Sequence, residues 1–172
     1  TPDEISLMRE SSRIVAQVLQ MLKGMIKPGV TTKELDAVAE EFIRSQGAEP
    51  AFKGYGSNKH NLFPASLCVS IDDQVVHGIP GDRRLEEGDI VGLDLGCVVD
   101  GFFGDAARTV AVGRVSDEAS RLLRVTEESL HLGIAACRPG NRVGDVGHAI
   151  QRHAEARGYS VVREFVGHGI GT

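Results

Sequence analysis

Apolar residues recur at helical spacing from the first turn onward, with Ile5, Met8, Val15, Leu19 and Leu22 on one side of a helix. Thr1, Pro2 and Glu4 supply the cap, the first-turn proline and the reciprocal acid of a capping box, and the helix ends near Gly24. After the Lys27-Pro28-Gly29 turn, Thr31 or Thr32 caps a second helix carrying Leu35, Val38, Ala39 and Phe42 to a stop at Gly47. Phe52 to Phe63, rich in Gly, Asn and aromatics, reads as a loop or irregular hairpin. Alternation then takes over. Leu67–Ile71 and Gln74–His77 read as strands around an Asp72-Asp73 turn, and Gly81–Gly88 as a charged surface connection. Asp89–Val112 reads as two strands joined at Asp100-Gly101, a strong hairpin signal. Ser116 to about Cys137 and Asn141 to about Gly158 predict two more helices, and Tyr159–Val166 a strand, ahead of Gly167–Thr172.

The helical parts carry a weak internal repeat. Pro28 and Pro139, Gly29 and Gly140, Gly47 and Gly158, and the acids Glu34 and Asp145 share one offset of 111 residues. A duplication would make the first unit two helices followed by hairpins to about Val112, and a full second unit would reach roughly residue 220.

Composition narrows the function classes. With 172 residues, 41% of them hydrophobic, the chain suits one globular domain with a sizeable core, or a large piece of one. Its 19 basic and 24 acidic residues give a formal charge of −5, so it has neither a basic footprint for nucleic acid nor a basic run for a membrane surface. No apolar run approaches the length of a membrane span, and Thr1-Pro2-Asp3-Glu4 is unlike a signal segment, so the expected location is cytoplasmic. Cys68, Cys97 and Cys137 are odd in number and irregular in spacing; they read as small core residues rather than a disulfide framework or a zinc site.

The chemistry concentrates in "DLGCVVDGFFGD", Asp94 to Asp105. With Asp100-Gly101 as a two-residue turn, Val99 faces Phe102, Asp105 faces Gly96, and Asp94 lies on the same face as Asp105. The two acids are then diagonal neighbours with Cα atoms about 7–8 Å apart. Their face reads Gly92, Asp94, Gly96 and Val98 with Phe103, Asp105 and Ala107; the reverse face is a core wall of Val91, Leu93, Leu95, Cys97 and Val99 with Phe102 and Ala106. Converging carboxylates can each find an arginine, with Arg108 near in sequence, or backbone amides; a multivalent cation would relieve both at once. Oxygen donors suit hard divalent ions, and an added imidazole moves the preference toward a transition metal. Of six histidines, His131, His148 and His153 on helices and His60 in the irregular loop read as surface or packing residues. His77 and His168 each sit at a strand end beside glycine, where a backbone or a ligand can approach closely.

With "VVHGIP", "DLGCVVDGFFGDAART" and "GHGIG" in that order, the sequence resembles the type I methionine aminopeptidases of the pita-bread metallopeptidase family over essentially its whole length. The resemblance implies an α+β pita-bread fold with pseudo-twofold αβ halves, the first half spanning 1–112 and residues 113–172 beginning the second within one catalytic domain. It implies two divalent ions (cobalt, manganese, iron or zinc), with Asp94 a bidentate ligand of one, Asp105 bridging both and His168 the single histidine ligand. His77 is then the catalytic histidine that contacts the scissile amide or the tetrahedral intermediate. A pocket for the methionine side chain is expected near Phe52, Tyr55, Phe63 and Cys68, although Gly56–Leu62 is longer than the family's usual link. The implied reaction is removal of the N-terminal methionine from nascent polypeptides, near the ribosome, by a cytoplasmic monomer touching neither nucleic acid nor membrane. The family's remaining segment, with two glutamate ligands and another substrate-contacting histidine, lies outside these 172 residues. The expectation is therefore the front part of a longer enzyme, inactive alone. "DAART" is also similar to prolidases and aminopeptidase P, which leaves a proline-directed peptidase as an alternative, alongside a non-catalytic binding module of the same fold.

Overall fold

In the computed structural model, which describes residues 1–58 and 61–172, the first capping signal is realised in full. Helix α1 (Pro2–Met25) starts with Thr1 and Glu4 capping one another, Thr1 Oγ1 donating to Glu4 Oε2 at 2.8 Å. Helix α2 (Thr32–Ser45) follows with Thr31 as its cap, and Thr31 N donates to Glu34 Oε2 at 2.7 Å. Four strands come next in chain order: β1 (Glu49–Pro50), β2 (Leu67–Ile71), β3 (Ile90–Val99) and β4 (Phe102–Ala111). Strand β3 is the centre of this antiparallel sheet, pairing along one edge with β4 and along the other with β1 and β2. These elements, with residues 170–172, form a first compact unit running to Val115; a second unit, Ser116–Gly169, holds helices α3 (Asp117–Ala136) and α4 (Val143–Glu155).

The core of the first unit lies between the helices and the apolar face of the sheet. Ile14, Val18 and Leu22 of α1, Leu35 of α2, and Leu93 and Leu95 of β3 are all fully buried. Alternation along β3 accounts for this, because residues two apart share a face and the apolar set is every second residue. Helix α1 approaches the hairpin so closely that position 104 has no room for a side chain. A Cβ on Gly104 would stand 2.5 Å from the Ser11 carbonyl carbon and 2.6 Å from Ser12 N. Beside it Cys97 is buried, its Sγ 3.3 Å from Ser11 O, and burial pushes its thiol up to about 11.

The second unit is a helix pair. A Cβ on Gly133 of α3 would press on Ile150 of α4 at 2.8 Å, His153 Nε2 lies 2.9 Å from Glu128 Oε2, and the Arg121 guanidinium stacks over the Tyr159 ring. The offset of 111 residues reappears in the geometry of both units. It separates the helix starts Thr32 and Val143, the helix ends Met25 and Ala136, the left-handed Gly29 and Gly140 (φ 91 and 93°), and Gly47 and Gly158 (φ 73 and 83°). Arg142 N also donates to Asp145 Oδ2 at 2.7 Å, repeating the Thr31–Glu34 bond.

Several expectations need correction. Gln74–His77 is not a strand: Gln74 turns its side chain back, with Oε1 accepting from Ile71 N at 3.0 Å, and His77 adopts φ 59°, which an extended chain excludes. Tyr159–Val166 is not a strand either, since Tyr159 N closes onto Ala154 O at the end of α4 and no ladder forms beyond it. Cys137 is exposed rather than buried, because it ends α3 instead of continuing its apolar stripe. Helix α4 begins at Val143, two residues after Asn141, whose side-chain amide instead donates to Ala136 O. Leu85 inside the charged connection is buried, and Arg84 bridges to Thr31 there. His60 falls outside the described residues. Among the described residues, no helix is long and apolar enough to cross a membrane.

The close approach of α1 gives a test of the packing. Gly104→Ala should cost about 1–3 kcal/mol in urea denaturation, as overpacking against backbone does. Gly92→Ala, whose Cβ would meet its nearest atom at 3.5 Å, should cost much less. Equal stability of the two variants would contradict this packing.

Candidate active site

The β3–β4 turn sets the geometry of the acid pair. Asp100 and Gly101 take φ 46 and 84°, the left-handed backbone of a two-residue hairpin turn. The register is then Val99 with Phe102, Gly96 with Asp105, and Asp94 with Ala107, so the two acids are diagonal neighbours on one face. Asp94 is half-buried and Asp105 exposed. Arg108 pairs with Leu93 and therefore belongs to the opposite face, which removes it as the partner considered for this pair.

Strand β2 completes the acid face. Cys68 lies directly across from Asp94, and Ser70 across from Gly92. Burial first, then the charges of Asp94, Asp105 and Asp36, push the Cys68 thiol up to about 12. The Phe52 ring closes the other side: its Cε1 lies 3.1 Å from where a Cβ on Gly96 would begin, and Ala51 N donates to Gly96 O at 3.0 Å. Glycine at 96 thus opens the space that the aromatic ring occupies, next to the cross-strand position of Asp105.

His77 is tied to the same strand. Val69 N donates to Gly78 O at 2.9 Å and Gly78 N to Ser70 Oγ at 3.1 Å, and a Cβ on Gly78 would overlap the Val69 carbonyl oxygen. The His77-Gly78 peptide therefore sits against the edge of β2, with the exposed His77 held in a left-handed conformation that costs free energy. Of the expected pocket residues, Cys68 is buried and Phe52 and Phe63 half-buried, whereas Tyr55 is 78% exposed. Tyr55 contributes its backbone instead, as Phe63 N donates to Tyr55 O at 2.9 Å. His168 belongs to the second unit, exposed in an irregular segment with Nδ1 3.0 Å from Gly169 O.

Sequence reasoning missed Asp36. This residue of α2 accepts hydrogen bonds at 2.9 Å from both Ser66 N and Leu67 N, at the start of β2. Its carboxyl lies above the ordinary aspartate value, because burial outweighs those two bonds. The available signal was an acid inside a helix between the core positions Leu35 and Ala39.

The donors on the acid face fit a divalent cation: carboxylate oxygens from both strands of one hairpin, with small or absent side chains at positions 92, 96 and 107. Among the described residues, no three His, Cys, Asp or Glu side chains come together in a form able to hold a metal. Comparison with known proteins places the chain. Residues 6–172 match the model of metallopeptidase family M24. The chain belongs to that family. It is 52% identical to methionine aminopeptidase 1 of Bacillus subtilis over 99% of its own length, and it spans about two thirds (67%) of that relative. The crystal structure of methionine aminopeptidase from Rickettsia prowazekii superposes with a TM-score of 0.93 at 42% identity, covering 99% of this chain and 67% of that one. Xaa-Pro dipeptidase from Bacillus anthracis superposes at 0.81 with 26% identity, over 99% of this chain and 46% of that one. The M24 chain thus has the α+β pita-bread fold, and its family is one of divalent-metal peptidases.

The left-handed backbone at His77 makes a prediction independent of activity. His77→Asn should be nearly neutral, since asparagine tolerates that conformation, whereas His77→Val should cost about 1–3 kcal/mol. Chemical denaturation of the two variants checks this, and equal stability would show that the backbone relaxes there.

Proposed function

We propose that this M24 protein removes the amino-terminal methionine from polypeptides by metal-dependent hydrolysis. The observation that carries the reading is the single face that brings together Asp94, Asp105, Cys68 and Phe52. Asp94 and Asp105 supply oxygen donors for two divalent ions, cobalt, manganese, iron or zinc. For His168 the ligand role rests on its Gly167-His168-Gly169 motif alone. When bound, the ions supply Lewis acidity, which makes water a competent nucleophile at neutral pH and polarises the scissile carbonyl.

The chain's own residues account for the rest. Phe52, Phe63 and the protonated Cys68 form a soft, apolar surface suited to a thioether. Gly92 keeps the face low beside Asp94, and Gly96 lets the Phe52 ring settle next to Asp105. His77, held by Gly78 at the edge of β2, is a donor for the scissile amide or the oxygen that gains charge during attack. Identity favours this substrate over a proline-directed one: 52% to a methionine aminopeptidase against 26% to an Xaa-Pro dipeptidase. Action on nascent chains near the ribosome, as a cytoplasmic monomer, belongs to the same reading.

The test is steady-state cleavage by the full-length protein with added Mn²⁺ or Co²⁺, comparing Met-Ala-Ser with Xaa-Pro peptides. Methionine release from Met-Ala-Ser is the expected result, and Asp105→Asn and Asp94→Asn should each lower kcat/KM by more than about 100-fold. Calorimetric metal titration of Asp105→Ala should show weakened binding. Preferential cleavage of Xaa-Pro peptides, or unchanged metal affinity in Asp105→Ala, would overturn the proposal.

A further inference from the structure

Helix α2 turns two acids one turn apart toward the two ends of the Phe52–Phe63 segment. Glu40 Oε2 holds Lys53 Nζ at 2.6 Å, next to Phe52, while its Oε1 takes Arg44 Nε at 3.0 Å. Asp36 Oδ1 accepts from Ser66 N and Leu67 N at 2.9 Å, just beyond Phe63 and just before Cys68. Between these anchors the segment closes on itself, Gly54 N donating to Phe63 O at 2.8 Å and Tyr55 N to Phe52 O at 2.9 Å. Its inner end is the Phe52 ring against Gly96 on the acid face. The Glu40–Lys53 pair is not an ordinary surface bridge, because Glu40 is only 20% exposed and already fixed by Arg44 on its own helix. Asp36 is placed where burial penalises a charged carboxylate, yet its two backbone bonds fix the start of the strand that carries Cys68.

We propose that Asp36 and Glu40 are positioning residues for recognition of the substrate's first side chain: together they hold both ends of the Phe52–Phe63 segment and so set Phe52 and Cys68 against the acid face. The inference rests on the methionine-removing reading above. Neither acid touches substrate, and each acts through the backbone or the lysine it holds.

Lys53→Met tests this at an exposed position that leaves the core untouched. In the full-length protein, KM for Met-Ala-Ser should rise about three- to tenfold with kcat changed by less than about twofold, the size of one hydrogen bond's net contribution. Discrimination between Met-Ala-Ser and Leu-Ala-Ser should shrink by a similar factor, and Lys53→Arg should retain both values. Asp36→Asn, which keeps an acceptor oxygen, should behave as wild type, whereas Asp36→Ala should raise KM. Hydrogen exchange gives a readout apart from activity: the Gly54 and Phe63 amides should exchange at least about threefold faster in Lys53→Met, with Leu95 and Ala106 unchanged. Unchanged exchange at Gly54 and Phe63 would overturn the proposal. Faster exchange with unchanged KM and selectivity would overturn it as well, reducing the pair to a structural brace. A wild-type preference for Xaa-Pro peptides would remove the methionine reading, while the exchange measurement would still decide whether the clamp exists.

Discussion

The pairing of β3 with β4 is the constraint on which the rest depends. A two-residue turn with both residues left-handed admits one register, and the side-chain period of two then decides which residues face the helices and which face outward. A slip of one residue in β3 would send Asp94 into the core, bring Leu93 and Leu95 out, and part Asp94 from the face of Asp105. The cost of that exchange is several kcal/mol, at about 1.5–3 kcal/mol for each of the two leucines and more for the buried carboxylate. The acid pair and the core are therefore specified by the same hydrogen-bond ladder.

Two glycines extend that ladder's control to its neighbours. Gly104 lets the backbone of α1 settle on the reverse side of the hairpin, and Gly96 admits the Phe52 ring on the acid side. Each is a place where a Cβ would push a whole element away rather than disturb one side chain. Strand β2 works by a different device: its far edge is taken up by the Gly78 peptide and the Gln74 side chain instead of another strand. That arrangement puts an exposed histidine in a strained backbone state beside the acid face, and strain of this kind persists only when the surroundings over-determine it.

What could be read from sequence alone follows from the range of the interactions involved. The capping residues Thr1, Thr31 and Ser116, the helix-ending Gly47 and the Asp100-Gly101 turn all act within a few residues, and each marks its element to within a residue or two. The diagonal of Asp94 and Asp105 needed only that turn and the strand period. Val75 and Val76 misled because β-branched residues favour strands in general, while the outcome there was decided by a glutamine side chain and a left-handed histidine. Tyr159–Val166 misled for a related reason: strand propensity forms a ladder only beside a second strand, and that neighbour is a tertiary fact. Asp36, reaching Ser66 across thirty residues, signalled itself locally only by its place between the core positions Leu35 and Ala39, which names no partner. Tyr55, which the resemblance sets near the pocket, has an exposed ring, and its backbone oxygen accepts from Phe63 N.

The electrostatics of the acid face tie these strands of argument together. Burial first, and then the charges of Asp94, Asp105 and Asp36, disfavour a thiolate at Cys68, so that side chain behaves as a small apolar group. Two carboxylates that share one face favour a cation beside them, and hard oxygen donors favour a hard cation over a soft one. The register therefore sets two kinds of side chain side by side: the carboxylates of β3 and β4, and on β2 a buried cysteine that serves as packing surface. Replacing Cys68 by a stronger donor such as histidine or aspartate would merge the two and cost the face its apolar side. The alternation of carboxylate and small apolar residue across β2, β3 and β4 is what sets charged and apolar side chains one strand spacing apart.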